Sequence, residues 1–231
     1  GYSSAASDVY KRQMDGLMFD TEPLGAVCFA RAAKQFGYII EEEFRYKLIG
    51  INANDHYALM KSKFGQDCPA KEIHELSKKL RSDYLYKHGI VIKPGLFELI
   101  TYLKNKGIKI AVASSSAYSK INEYLALAGL KNIFDLIVGG DDLEHGKPDP
   151  EIFLKVLKYF KIAADHALIL EDSTNGILAA NAANIPVVCV PDYLPNCKEV
   201  LARTSAVLPS LVEVKNEIMK IFEENRVCSF L

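Results

Sequence analysis

From Pro94 onward the chain alternates between short apolar runs and amphipathic stretches, and few folds accept that pattern. The runs are IKIAVAS, FDLIVGG, HALILED and IPVVCVPD, with a weaker one in SAVLPS. Between them lie LFELITYLKNKG, YSKINEYLALAG, PEIFLKVLKYF and NGILAANAA, and LVEVKNEIMKIFEEN follows the last. The runs are almost continuously apolar, as parallel strands buried on both faces require. The intervening stretches carry apolar residues at helical spacing. Strand and helix taking turns predicts an α/β fold, a doubly wound parallel sheet.

The stretch before it reads differently. PLGAVCFARAAKQFG, EEEFRYKLIG, NDHYALMKSKFG and AKEIHELSKKLRSDYLYKHG all show three- and four-residue apolar spacing, with Gly37 and Gly89 as helix stops. No strand-like run interrupts them. The expected organisation is an α/β core of residues 14–22 and 92–231 with an all-helical cap, 23–91, inserted after the first strand. At 231 residues, 49% hydrophobic and 25% charged, the chain can build a real core. A net charge of −1 gives no reason to expect nucleic acid or an anionic membrane as partner. No apolar run reaches the roughly 18 residues of a membrane span, and no secretory signal opens the chain. Cys28, Cys68, Cys189, Cys197 and Cys228 are odd in number and form no CxxC pair, so free thiols in a reducing cytoplasm are expected rather than zinc or a disulfide framework.

In open α/β sheets, sites form at the carboxyl ends of the strands. The conspicuous polar residues fall there: Asp15 and Gly16 after the first strand, Ser114 ending IKIAVAS, Lys147 in HGKPDPEIF, and Glu171 with Asp172 ending HALILED. Each alone has an ordinary explanation as a cap, a turn or a solvated charge. PDP before a helix is ordinary start chemistry. Their order along one sheet edge is the informative feature. GDDLEHGKP imitates a P-loop, but the spacing from Gly140 to Gly146 is wrong and Pro148 stands where Ser or Thr is required. No GxGxxG is present.

Together, QMDGLMFDTEPL, Ser114, GKPDPEIF and LEDSTNG resemble the haloacid dehalogenase superfamily, in its branch of helical-cap phosphatases and beta-phosphoglucomutase-like enzymes. The resemblance covers the chain from Met14 to the last helix. It implies a Rossmann-like core, Mg²⁺ as cofactor and a small phosphorylated metabolite as substrate, in a cytoplasmic monomer. It implies an aspartate at position 13 that attacks phosphorus and forms an aspartyl phosphate, splitting the hydrolysis into two steps. Asp15 would protonate the leaving oxygen and then activate water. Mg²⁺ would be held by the nucleophile, the backbone carbonyl of Asp15 and Asp172, with Glu171 as an outer or alternate ligand. Lys147 would offset the crowded negative charge and Ser114 would bond a phosphate oxygen. Gly16, Leu17, Ser115 and Asn175 complete the expected phosphate surroundings.

This chain departs from that pattern at its start. Position 13 is glutamine, a neutral, inert side chain and a poor Mg²⁺ ligand, and it follows SDVYKR instead of an apolar strand. Lys11 and Arg12 would occupy a strand buried on both faces, at high desolvation cost. One reading is a relative that binds phosphate without cleaving it. The favoured reading, since every other motif is intact, is that Ser3 to Gln13 is the in-frame translation of a transposon-based sequencing adapter, so that residues 1–13 are non-native and the nucleophile is missing.

Mutases of this branch carry a His shortly after DTE and an Arg in the cap, which grip a second phosphate. The corresponding residues here are Gly25 and Ala53. Hydrolysis of a sugar, polyol or nucleotide phosphate is therefore expected over mutase chemistry. Gly50, Asn52 and Asn54 are the cap residues expected to touch substrate.

Overall fold

The computed structural model describes residues 9–12, 17–48, 53–192 and 196–227. The chain divides into two compact units: Gly1–Phe19 with Val91–Leu231, and Asp20–Ile90. The division falls earlier than the Pro23 expected from helical periodicity, for a local reason. The outgoing and returning chains pair with each other. Phe19 bridges Ile92 in antiparallel fashion, and the Lys93 N–H donates to the Met18 carbonyl at 2.9 Å.

The larger unit is a six-stranded sheet: β1 (Val9–Arg12), β2 (Lys109–Ala113), β3 (Leu136–Val138), β4 (Ala167–Glu171), β5 (Val187–Cys189) and β6 (Ala206–Val207), in the order β3-β2-β1-β4-β5-β6. Every pairing is parallel. The expected α/β fold class is what the structure has. The first strand is the surprise. The apolar-strand rule gives no strand in VYKR, yet Val9–Arg12 fills the slot between β2 and β4, with Lys11 in register with Ala111 and Ile169, and Arg12 with Val112 and Leu170. Those four neighbours are at most 1% exposed. Both flanking strands present a row of backbone donors and acceptors to that slot, and a strand backbone satisfies the whole row at once.

The helices of this unit, in chain order with those of the smaller one, are α5 (Leu96–Asn105), α6 (Tyr118–Leu127), α7 (Glu151–Phe160), α8 (Thr174–Ala182), α9 (Lys198–Leu201) and α10 (Leu211–Val227). Helix α9 has no counterpart among the elements read from periodicity, being a single turn. In α7 the apolar pairs Ile152–Phe153 and Val156–Leu157 recur at four-residue spacing and join one core with Ala111, Ala113, Ile169, Ile177, Val187 and Cys189. Gly95 opens α5 with φ +84°, and a Cβ there would lie 2.5 Å from the Val212 nitrogen. The glycine is what lets α5 and α10 pack.

The smaller unit is wholly helical among its described residues: α1 (Glu22–Gln35), α2 (Glu42–Lys47), α3 (Ala53–Phe64) and α4 (Ala70–His88). Its core gathers Phe29, Ala32, Ala33, Phe44, Met60, Cys68, Ala70 and Ile73. Edge-on aromatic contacts, such as Phe44 with Phe64 at 5.7 Å between centroids, fill the space between helices. Gly89, with φ +80°, closes α4.

Cys28, Cys68 and Cys189 are buried free thiols, and Cys197 is exposed and free. Among the described residues no helix is long and apolar enough to cross a membrane.

Candidate functional site

The strand order reverses direction around β1, and at such switch points the crevice beyond the carboxyl ends can take a ligand. The register sets the geometry. Val112 and Leu170 flank Arg12, so Ser114 and Asp172 each lie two residues beyond the level of the end of β1, one on the strand to either side of it. Adjacent strands are about 4.8 Å apart. Ser114 and Asp172 thus bracket the carboxyl end of β1. Gln13, Asp15 and Gly16 lie outside the described residues, as do Gly50 and Asn52. Asn54 falls in the first turn of α3, with its side chain outside what is described. Leu17 is buried, with 1% of its surface exposed, as an apolar residue next to a sheet core should be.

Ser114 is buried. Its N–H donates to the Val138 carbonyl at 3.1 Å, extending the β2–β3 ladder. Its Oγ accepts the Ser116 N–H at 3.1 Å, which leaves its own O–H to donate elsewhere. Ser115 beside it is exposed, and Asn175 is exposed on the first turn of α8. The loop after β2 lies tightly against the loop after β3: a Cβ on Gly140 would come within 2.2 Å of the Ser115 carbonyl oxygen.

Lys147 reaches the end of β4 from the loop before α7. Its Nζ lies 2.5 Å from Glu171 Oε1, and both side chains are almost fully enclosed, 4% and 1% exposed. The ammonium also sits 5.0 Å from the centre of the Phe153 ring. Glu171 uses its other oxygen on Ser173, accepting from the backbone N–H at 3.2 Å and from Oγ at 2.9 Å. Ser173 Oγ in turn accepts the Gly176 N–H at 3.1 Å and caps α8. Glu171 is thereby engaged at both of its oxygens. Its carboxylate is committed to Lys147 and to the start of α8.

Gly176 is the residue that makes room for it. A Cβ there would fall 1.9–2.1 Å from the three carboxylate atoms of Glu171. No side chain fits without moving a buried charge.

Asp172 has the opposite character. As a residue it is half-buried, yet its Oδ1 is cut off from solvent and has no hydrogen-bond partner among the described residues. Burial first, then the neighbouring Glu171 carboxylate, pushes its pKa well above the usual carboxylate range, with Asp192 adding to the rise and Lys147 opposing it. A shielded carboxylate oxygen with raised basicity and no partner is what a hard cation satisfies, so Asp172 fits Mg²⁺. No set of three or more His, Cys, Asp or Glu able to hold a metal occurs among the described residues. The remaining expected donors, at 13 and 15, are outside them.

Sequence reasoning missed several residues that shape this site. Asn196 donates from Nδ2 to the Asp172 carbonyl oxygen at 2.7 Å. Lys93 pairs with Asp192 at 2.5 Å, partly buried. Ser173 and Gly176 sit inside the quoted LEDSTNG without having been assigned work. The GKP segment carries a cis Lys147–Pro148 peptide. Gly176 had a usable signal, a glycine inside a helical stretch. Ser173 had one too, as a cap residue before a helical stretch, whereas Lys93, Asp192 and Asn196 are loop polar residues with no period to betray them.

The sequence profile of the haloacid dehalogenase-like hydrolases matches residues 13–190. A phosphorylated carbohydrates phosphatase from Thermotoga maritima is 30% identical over 215 residues, spanning 91% of this chain and 96% of that one. Among solved structures, a Thermotoga maritima protein provisionally described as a beta-phosphoglucomutase superposes with a TM-score of 0.78 at 29% identity, over 93% of this chain and 99% of that one. CbbY from Rhodobacter sphaeroides, solved with phosphate, superposes with a TM-score of 0.74 over 89% of this chain and 95% of that one. At 24% identity it speaks for the fold alone.

Proposed function

This chain belongs to the haloacid dehalogenase-like hydrolases, and from that premise we propose that its architecture is that of a Mg²⁺-dependent phosphatase acting on a small phosphate monoester through an aspartyl phosphate. Relatives named as phosphatases support the hydrolase assignment. The observation that carries the finer reading is the pairing of two buried groups at one strand end. Lys147 is held by Glu171, and next to it Asp172 presents an oxygen with no partner among the described residues. The first suits an anionic substrate and the second a cation.

Each residue then has a task. The side chain at position 13 must attack phosphorus, and Gln13 cannot: its amide is a poor nucleophile and carries no charge to attract the metal. The chain as it stands should therefore bind better than it turns over. Asp15 protonates the departing alkoxide and later takes a proton from the attacking water. Ser114, with its O–H free to donate, bonds a non-bridging phosphate oxygen. Lys147 neutralises charge on the transferring group and is kept in place by Glu171. Mg²⁺, held by Asp172 together with residue 13 and the Asp15 carbonyl, would supply charge neutralisation on the phosphoryl oxygens. The substrate is proposed to be a sugar, polyol or nucleotide phosphate. The enzyme would act in the cytoplasm as a monomer, with neither nucleic acid nor membrane as partner.

A mutase reading has the provisional description of the Thermotoga structure in its favour. Against it, glycine and alanine stand at positions 25 and 53, where such mutases carry the His and Arg that grip a second phosphate. The two readings separate in one assay. Gln13→Asp protein with Mg²⁺ is offered a panel of phosphate esters, including glucose 1-phosphate with and without the 1,6-bisphosphate. Release of inorganic phosphate supports the phosphatase. Isomerisation without release supports the mutase. Silence across the panel removes the enzyme reading in favour of non-catalytic phosphate binding.

A further inference from the structure

One side chain staples both ends of the turn that carries Asp172. The Asn196 amide donates from Nδ2 to the Asp172 carbonyl at 2.7 Å and, more weakly, to Cys189 Sγ at 3.5 Å. Its Oδ1 accepts the Thr174 hydroxyl at 2.7 Å. The amide is planar and its two ends are chemically different, so these bonds fix which way it faces. A flip would set its oxygen against the Asp172 carbonyl oxygen. Residues Asp172, Ser173 and Thr174 are thus held at both ends by one rigid group anchored beside the end of β5. Glu171 and Ser173 fix the start of α8 from the other side. Within this frame Asp172 Oδ1 is buried and has no hydrogen-bond partner among the described residues.

We infer that Asn196 is a positioning residue for the divalent cation: it sets the backbone from which the Asp172 carboxylate projects, without touching metal or substrate itself. The inference rests on the phosphatase reading only in taking Asp172 as a cation ligand. Ligand-orienting groups of this kind typically govern metal affinity by about 10–100-fold.

The test measures Mn²⁺ binding, by calorimetry and by the loss of the free-ion electron paramagnetic resonance signal, on the full chain carrying Gln13→Asp. Asn196→Ala should weaken Mn²⁺ binding about tenfold or more. Thr174→Val leaves the amide in place but removes the hydroxyl that orients its oxygen, and should weaken binding several-fold. Thr174→Ser restores the hydroxyl and should restore the affinity. Turnover by Asn196→Ala should recover at saturating Mn²⁺, because the positioning residue acts through occupancy. Should Asn196→Ala not fold, the Thr174 pair carries the comparison alone. Unchanged Mn²⁺ affinity in both Asn196→Ala and Thr174→Val would overturn the inference while leaving the phosphatase reading intact. Absence of Mn²⁺ binding in the Gln13→Asp parent would overturn the metal role of Asp172, and the inference with it.

Discussion

Replacing Gly176 by alanine should be among the most damaging single-methyl changes available in this protein. The added carbon would lie 1.9 Å from Glu171 Cδ and 2.0 and 2.1 Å from its oxygens. Ordinary carbon contacts begin near 3.5 Å, so the carboxylate must retreat by more than about 1 Å. It cannot do so and keep its bonds to Lys147 at 2.5 Å and to Ser173 at 2.9 and 3.2 Å. The glutamate is 0% exposed, so water does not replace what is lost. Uncoupling one partner of such a pair costs about 3–5 kcal/mol. Alanine's higher helix propensity returns up to about 1 kcal/mol. A net loss of about 2–4 kcal/mol remains, and for a chain of this size each kcal/mol moves the melting temperature by about 2–4 °C. The expected fall is therefore on the order of 5–15 °C. It is read by circular dichroism at 222 nm against Gly146→Ala, where an added Cβ meets nothing within 4 Å. That control should stay within about 0.5 kcal/mol of the parent. If Gly176→Ala melts with the parent, the packing of Glu171 under α8 is not what restrains this site.

Lys147→Met removes the cation that offsets buried Glu171 and should cost about 3–5 kcal/mol. Combined with Gly176→Ala it should cost clearly less than the sum, since both break one network, and a double-mutant cycle on melting data reads this. His56 should titrate near pH 4 by NMR, because burial and then the nearby His74 hold it well below its usual 6.5. Since the folded pKa is depressed, its contribution to stability is complete above about pH 6.5 and is lost as the pH falls toward 4. That amounts to about 3 kcal/mol, and acid melts of the parent should show a steeper decline than those of His56→Leu. In the Gln13→Asp background, Asp15→Asn should slow hydrolysis of an alkyl phosphate far more than formation of the phosphoenzyme from an aryl phosphate. The aryl leaving group needs little protonation, and burst kinetics with both esters test this.

The sequence determined the alternation of elements because burial imposes a local period. KIAVA and ALILE are apolar without a break, since parallel strands at the centre of a sheet are covered on both faces, and EIFLKVLKYF repeats at helical spacing because only one side of α7 is covered. It also made the motif residues legible, since Ser114, Lys147 and the Glu171–Asp172 pair must sit where strands end. Its local pattern could not foretell that VYKR would be the central strand; only the family resemblance put Lys11 and Arg12 in one. Nothing local in Val9–Arg12 asks for that place, and it is assigned by the open hydrogen-bonding edges of β2 and β4. Nor could it single out what makes the site work as a unit. Lys147 meets Glu171, and Asn196 meets Asp172, each across 24 residues of chain. Gly176 is required only because a carboxylate from another element lies where its Cβ would be. A polar contact between loops leaves no periodic trace in either one, because its partner is chosen by how the sheet brings strand ends together. Hence the sequence carried the residue types and their order, and tertiary structure alone decided which of them are held, by what, and with which oxygen left over.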